Sequence, residues 1–283
     1  MTSARAVAAV VASVIWIGSS RAQNIPASHD MSTMSMPGMA MPATPQPATV
    51  NLGPLSPAPS GAHMDHHEGL HGAVLISQLE YRGGSGTNVG AWEGQAYYGG
   101  DYNKIWLNTR GEYNSRARAL ERAEVQVLYS RLISYFFNAQ AGIRQDIGIR
   151  PNQGTPARTH LVLGVEGLLP NLFEANLQFF VDQRGTVAAR FEGSYDAYLT
   201  QRLVLQPQVE LNAAANSDPQ SRLGSGFTRF ESGLRLRYEL TREFAPYAGV
   251  QYERVLGETA NIYKRMGEQR ELLSAVAGVR LFF

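Results

Sequence analysis

Two clusters of side chains offer unusual chemistry. Met31, Met34, Met36, Met39 and Met41 fall within eleven residues, and His63-Met64-Asp65-His66-His67-Glu68-Gly69-Leu70-His71 follows beyond a run of prolines. Seven of the eight methionines and five of the six histidines precede residue 72. Thioether sulfur is a soft donor suited to Cu(I), whereas imidazole suits Cu(II), zinc and nickel; copper is the metal that both clusters favour. The candidate ligands are Met31, Met34, Met36, Met39, Met41 and Met64 for Cu(I), and His63, His66, His67 and His71 with Asp65 for Cu(II). Compositional drift in a linker is the plainer explanation. It leaves the clustering unexplained, because methionine in an exposed linker packs against nothing.

The segment holding these donors has no rigid frame. Between Gln23 and about residue 70, Pro26, Pro37, Pro42, Pro45, Pro47, Pro54, Pro57 and Pro59 would interrupt any helix. Alanine, serine and threonine fill the gaps, the composition of an extended, disordered arm. Such an arm can wrap around an ion, with binding supplying the ordering energy. Ahead of it, Arg5, the apolar stretch Ala6 to Gly18 and Ser20-Arg21-Ala22 read as a cleavable export signal over residues 1–22. The apolar run is too short to anchor the chain in a bilayer.

Composition removes several classes of function. With no cysteine there are no disulfides, thiolate zinc sites, iron–sulfur clusters or cysteine nucleophile. With 25 basic against 24 acidic residues, no basic field argues for nucleic acid as a partner.

After His71 the pattern becomes period two. Phe173, Ala175, Leu177, Phe179 and Val181 alternate with Glu174, Asn176, Gln178 and Asp182. Val125, Val127 and Tyr129 alternate with Arg122, Glu124 and Gln126, and Leu234, Leu236 and Tyr238 with Arg235, Arg237 and Glu239. Strands of about ten residues, apolar outward and polar inward, are the signature of an outer-membrane barrel. The sequence predicts an all-β fold: a closed antiparallel β-barrel over residues 71–283, with about 12 strands. These fall near 72–82, 89–99, 102–113, 120–131, 134–146, 158–169, 172–183, 186–197, 201–213, 226–240, 244–255 and 271–283. Tight connections at 99–101, 169–171 and 240–243 contrast with long ones at 147–157, 214–225 and 256–270, the rhythm of periplasmic turns and outer loops. Tyr81, Trp92, Tyr98, Tyr113, Tyr129, Tyr195, Tyr238 and Tyr252 are placed for an aromatic girdle. A final strand ending Val279-Arg280-Leu281-Phe282-Phe283 is of the kind barrel assembly machinery reads.

The inward face carries both signs of charge, among them Glu80, Arg82, Glu93, Lys104, Arg110, Glu112, Arg122, Glu124, Arg144, Asp146, Glu166 and Glu174. The lumen is therefore either an aqueous channel or a mutually neutralised network, and paired charges suffice to fill it. His160 in the barrel and Met266 in the last long loop stand alone. A lipid hydrolase would need a serine beside a histidine base. The residue two beyond His160 is Val162, and His160 faces inward, so no enzyme is expected.

Longer stretches carry a resemblance. Asn103-Lys104-Ile105-Trp106-Leu107, Glu121-Arg122-Ala123-Glu124-Val125-Gln126, Leu128-Tyr129-Ser130-Arg131 and Gln140-Ala141-Gly142-Ile143-Arg144 are among them. So are Tyr198-Leu199-Thr200-Gln201-Arg202-Leu203, Leu234-Arg235-Leu236-Arg237-Tyr238-Glu239, Arg242-Glu243-Phe244-Ala245-Pro246-Tyr247 and Ala277-Gly278-Val279-Arg280. Over roughly 90–283 the chain resembles the copper resistance protein B family. The resemblance implies an outer-membrane protein of bacterial copper-resistance systems with a Met- and His-rich periplasmic arm. The family's Met-Asp-His unit stands once here, as Met64-Asp65-His66. The expected function is non-enzymatic: copper resistance by sequestering or handling periplasmic copper through the arm. The alternative is a copper-permeable channel with the arm concentrating the ion at its mouth. Expected partners are copper ions, outer-membrane lipid, the barrel assembly machinery and periplasmic copper carriers or an oxidase.

Overall fold

A computed structural model describes residues 69–84, 87–147, 157–218 and 221–283. The first four strands are β1 (His71–Gly84), β2 (Thr87–Gly99), β3 (Asn103–Asn114) and β4 (Ala119–Ser134). They continue as β5 (Phe137–Ile147), β6 (Arg158–Leu169), β7 (Phe173–Asp182) and β8 (Val187–Tyr195), which is extended by β9 (Ala197–Tyr198). The last four are β10 (Leu203–Ala214), β11 (Gly226–Tyr238), β12 (Phe244–Val255) and β13 (Glu271–Phe282). Each strand pairs antiparallel with its sequence neighbour, and β1 pairs with β13, which closes the sheet. The expected closed antiparallel β-barrel is what the structure contains.

Thirteen ladder segments make twelve staves, because β8 and β9 both lie along β10 in one unbroken register. In that register the gap at Tyr195 and Asp196 faces Pro207 and Gln206. Pro207 has no N–H to give to a neighbouring strand, which accounts for the lapse in the ladder.

The alternation read from the sequence sets the two faces. Outward side chains such as Ile105, Ile143, Leu161, Leu163 and Val250 are exposed, while their neighbours Glu124, Gln126, Gln178 and Arg235 are buried. This is an inside-out arrangement: apolar residues face away and charged residues lie within. Every strand except the two-residue β9 pairs on both edges, so the backbone polar groups of the sheet are satisfied almost throughout by neighbouring strands. Such a surface belongs in a membrane. Tyr81, Tyr98, Tyr113, Tyr129 and Tyr238 stand exposed on it, as a girdle requires.

Three local features were not expected. First, a bulge at Ser77 and Gln78 in β1 shifts the register against both β2 and β13. It moves the inward face from Ala73 and Leu75 to Gln78, Glu80 and Arg82. Second, the lumen is not wholly polar: Leu128, Val162 and Phe180 form an apolar cluster inside it, with Trp106 and Ala188 against them. Third, the connection at 256–270 contains α1 (Gly257–Arg265). Glu258 in its first turn and Lys264 and Arg265 in its last suit the helix dipole.

The tight turns and the start of β1 gather at one end. There Phe283 exchanges two backbone hydrogen bonds with Val74, at 2.9 and 2.8 Å. The longer connections gather at the other end.

Candidate functional site in the barrel lumen

Of the predicted metal ligands, Met31, Met34, Met36, Met39, Met41, His63, Met64, Asp65, His66 and His67 lie outside the described residues. His71 is described: it opens β1 opposite Gly99, exposed at the rim of the turn end. Among the described residues no group of three or more His, Asp or Glu side chains is placed to hold a metal ion.

What the structure does bring together is the lumen. Its centre is Glu124 on β4, with a relative exposure of 2%. Arg190 on β8 reaches across the barrel to donate to both of its oxygens, at 2.7 and 3.1 Å. Arg144 on β5 pairs with it at 2.7 Å and Arg110 on β3 at 3.2 Å. Arg110 also pairs with Glu210 at 2.9 Å, makes a short contact with Glu192 and lies 3.9 Å from Glu93. Four carboxylates from β2, β4, β8 and β10 thus enclose one guanidinium. Arg144 and Arg190 rest on the Phe180 ring, 4.7 and 5.3 Å from its centroid.

A second network fills the side of the lumen under β1, β11 and β12. Arg235 donates to both oxygens of Glu80 at 2.9 and 3.0 Å, and the Tyr247 hydroxyl donates to Glu80 at 2.9 Å. Arg82 links Glu80 to Glu112, which Arg122 also holds, at 3.2 Å. Gln78 bridges to Gln208 and Gln126 to Gln178, closing the space between the charges. A water-filled pore would leave inward side chains wet. Here Arg235, Glu124, Gln126, Gln178 and Arg190 are each 4% exposed or less. At the centre of the lumen the inward charges are paired with one another in a network.

The filled centre separates two spaces. A cavity of about 1130 Å³ opens at the long-loop end, with Arg82, Arg122, Arg144 and Arg190 toward its base. A smaller one of about 50 Å³ lies on the far side of Glu124, walled by Arg110, Glu93 and Glu192 among amides and hydroxyls. His160 and Met266, isolated in the sequence, both reach the wall of the larger cavity. Nε2 of His160 lies 3.2 Å from Oδ2 of Asp146, a carboxylate that Arg144 also holds.

The two long connections clasp one another beside this cavity. The Gly224 N–H donates to the Thr259 hydroxyl at 2.9 Å, and both the N–H and the hydroxyl of Ser225 donate to Glu258 at 2.9 Å. These donors hold the Glu258 carboxyl below the ordinary carboxylate range.

Alternation revealed which residues face inward, including Glu93, Arg110, Glu124 and Arg144. It could not reveal that Arg190 meets Glu124, because partners 66 residues apart are set by the stagger of the closed barrel.

Comparison with known proteins places the chain. Residues 70–283 match the family described as copper resistance protein B precursor. The chain is 35% identical over 271 residues to copper resistance protein B of Escherichia coli, covering 91% of this chain and 89% of that one. The chain belongs to the copper resistance protein B family. A copper resistance protein B homolog of Pseudomonas syringae pv. tomato is 35% identical over 221 residues, covering 78% of this chain and 73% of its own. Among solved structures, the KdgM porin in complex with disordered oligogalacturonate aligns with a TM-score of 0.45 at 11% identity, over 75% of this chain and 99% of that one. The NanC porin aligns with a TM-score of 0.44 at 13% identity, over the same shares. Membership in the copper resistance protein B family implies a role in copper resistance for this chain.

Proposed function

We propose that this protein protects the cell from excess copper as a non-catalytic copper binder of the outer membrane. Its N-terminal arm captures the metal in the periplasm. The observation that carries this reading is the concentration of soft and imidazole donors between residues 31 and 71 of a chain from a copper-resistance family. Met31, Met34, Met36, Met39, Met41 and Met64 would take Cu(I), and His63, His66, His67 and His71 with Asp65 would take Cu(II). The short-turn end, where β1 begins, faces the periplasm in this reading, and α1 and the long loops face outward. Strand β13 is the segment that assembly machinery would recognise, and periplasmic copper carriers or an oxidase would exchange metal with the arm.

The filled lumen favours sequestration over passage: with Glu124 and Arg235 out of reach of water, the barrel reads as a mount for the arm. The large cavity at the loop end is what favours the second reading, a channel at whose other mouth the arm concentrates copper.

Competition for Cu(I) against a chromophoric chelator, with the mature chain and a chain lacking residues 23–69, separates arm from barrel. The deletion is expected to abolish most binding. Full retention by the barrel would overturn the arm reading and direct attention to the cavity that His160 and Met266 reach.

A further inference from the structure

The partition between the two cavities has a charge pattern that sequestration does not require. On its outer side Arg144 and Arg190 hold Glu124, and both line the large cavity. On its inner side stands Arg110, enclosed by Glu93, Glu124, Glu192 and Glu210, all within 3.9 Å of its guanidinium nitrogens.

Arg110 is the one cation among the residues lining the small cavity, where three carboxylates also stand. The remaining wall is oxygen-rich. Two of its acceptors, Oδ1 of Asn108 and Oδ1 of Asn176, are buried without a hydrogen-bond partner among the described residues. At about 50 Å³ the space has room for a few water molecules. Carboxylates and amide oxygens around a small wet space are the donor set of a hard, hydrated cation. The position is already occupied by a cation, and that cation is covalently tethered.

We propose that this partition is a cation-selective constriction and that Arg110 is the charge that holds it shut. The guanidinium offsets one of the four carboxylate charges of the ring and reaches from β3 to Glu192 on β8 and Glu210 on β10, between the two cavities. Removing it leaves a net negative ring facing a polar chamber, which attracts cations and repels anions. The apolar cluster of Trp106, Leu128, Val162 and Phe180 lies to one side of this route, so the amide-lined chamber and not the apolar cluster is the passage.

Conductance of the full mature chain in planar lipid bilayers tests this, with wild type, Arg110→Ala and Arg110→Lys compared in a potassium chloride gradient. Wild type and Arg110→Lys should be nearly silent. Arg110→Ala should conduct about tenfold more or better, with a reversal potential on the cation side, because a ring of like charge raises the local counter-ion concentration by that order. Arg110→Gln, closer in volume, serves if the alanine variant does not fold; heat-modifiable migration on gels verifies the folded barrel. Wild-type conductance equal to that of the variants, silence of a folded neutral variant, or anion selectivity would each overturn the proposal. If neither neutral variant folds, the residual openings of wild type decide it: anion-selective openings overturn the proposal and cation-selective ones support it. Because the arm is untouched, failure here leaves the copper-capture reading standing, and the chelator experiment leaves this one standing.

Discussion

Glu124 is a buried acid held by three arginines, Arg190 buried and Arg110 and Arg144 half-buried, and such an arrangement is costly to disturb from the acid's side. Its removal leaves Arg110, Arg144 and Arg190 facing one another without the carboxylate they share. Truncating one partner of a buried ion pair typically costs about 3–5 kcal/mol, mostly through the uncompensated charge left behind. Glu124→Ala should therefore lower the denaturant midpoint of the folded barrel by a shift of that order, read by urea titration in detergent. Glu174→Gln, at an exposed site, should stay within about 0.5 kcal/mol of wild type. At this scale the sequence is half legible. Period two assigns Glu124 and Arg144 to the inside, yet pairs them with nothing; the same parity puts Leu128 and Phe180 inside, where their apolar character alone would not have placed them.

The elements were more legible than their interruptions. All twelve staves follow from alternation, because one face must meet lipid and the other cannot. The bulge at Ser77 leaves only a one-residue slip in that rhythm, indistinguishable from noise in a short strand. Close strand approach is equally hidden: a Cβ on Gly142 would come within 2.0 Å of the Val127 carbonyl oxygen, so β4 and β5 can pair there only around glycine. The helix α1 was missed because its nine residues offer no clean apolar stripe, and its position is fixed by partners outside it. Those partners give the clasp a pH dependence. The Glu258 carboxyl is depressed by the two Ser225 donors, so its contribution is full above the ordinary carboxylate value and fades as pH falls through the lowered one. Hydrogen exchange at the Ser225 amide, corrected for the intrinsic rate, should accelerate across that acidic window, and Ser225→Ala should weaken the clasp already at neutral pH.

The molecule as a whole is arranged for a solvent that is not water. Leu163, at the middle of β6 and 62% exposed, contributes to a face that only hydrocarbon covers favourably. Leu163→Arg should cost about 2–4 kcal/mol when the barrel is folded into bilayers, if the position lies near the midplane. The same substitution should be far milder in detergent, where the charge reaches water; equal effects in both would deny the embedding. The fold and its bilayer setting were readable from composition and rhythm. The copper-binding reading rests on residue types alone, and all of its ligands but His71 lie outside the described residues.

The pairing of β1 with β13 also imposes an order in time. The two staves of that seam lie at opposite ends of the barrel sequence, so every other strand lies between them along the chain. Until β1 and β13 meet, a sheet of these strands carries open edges that invite any other strand to pair with them. The seam connects the most distant segments of the barrel and so is among the slowest contacts to form. The strands become a barrel only when this seam, joining the two most distant segments, has closed.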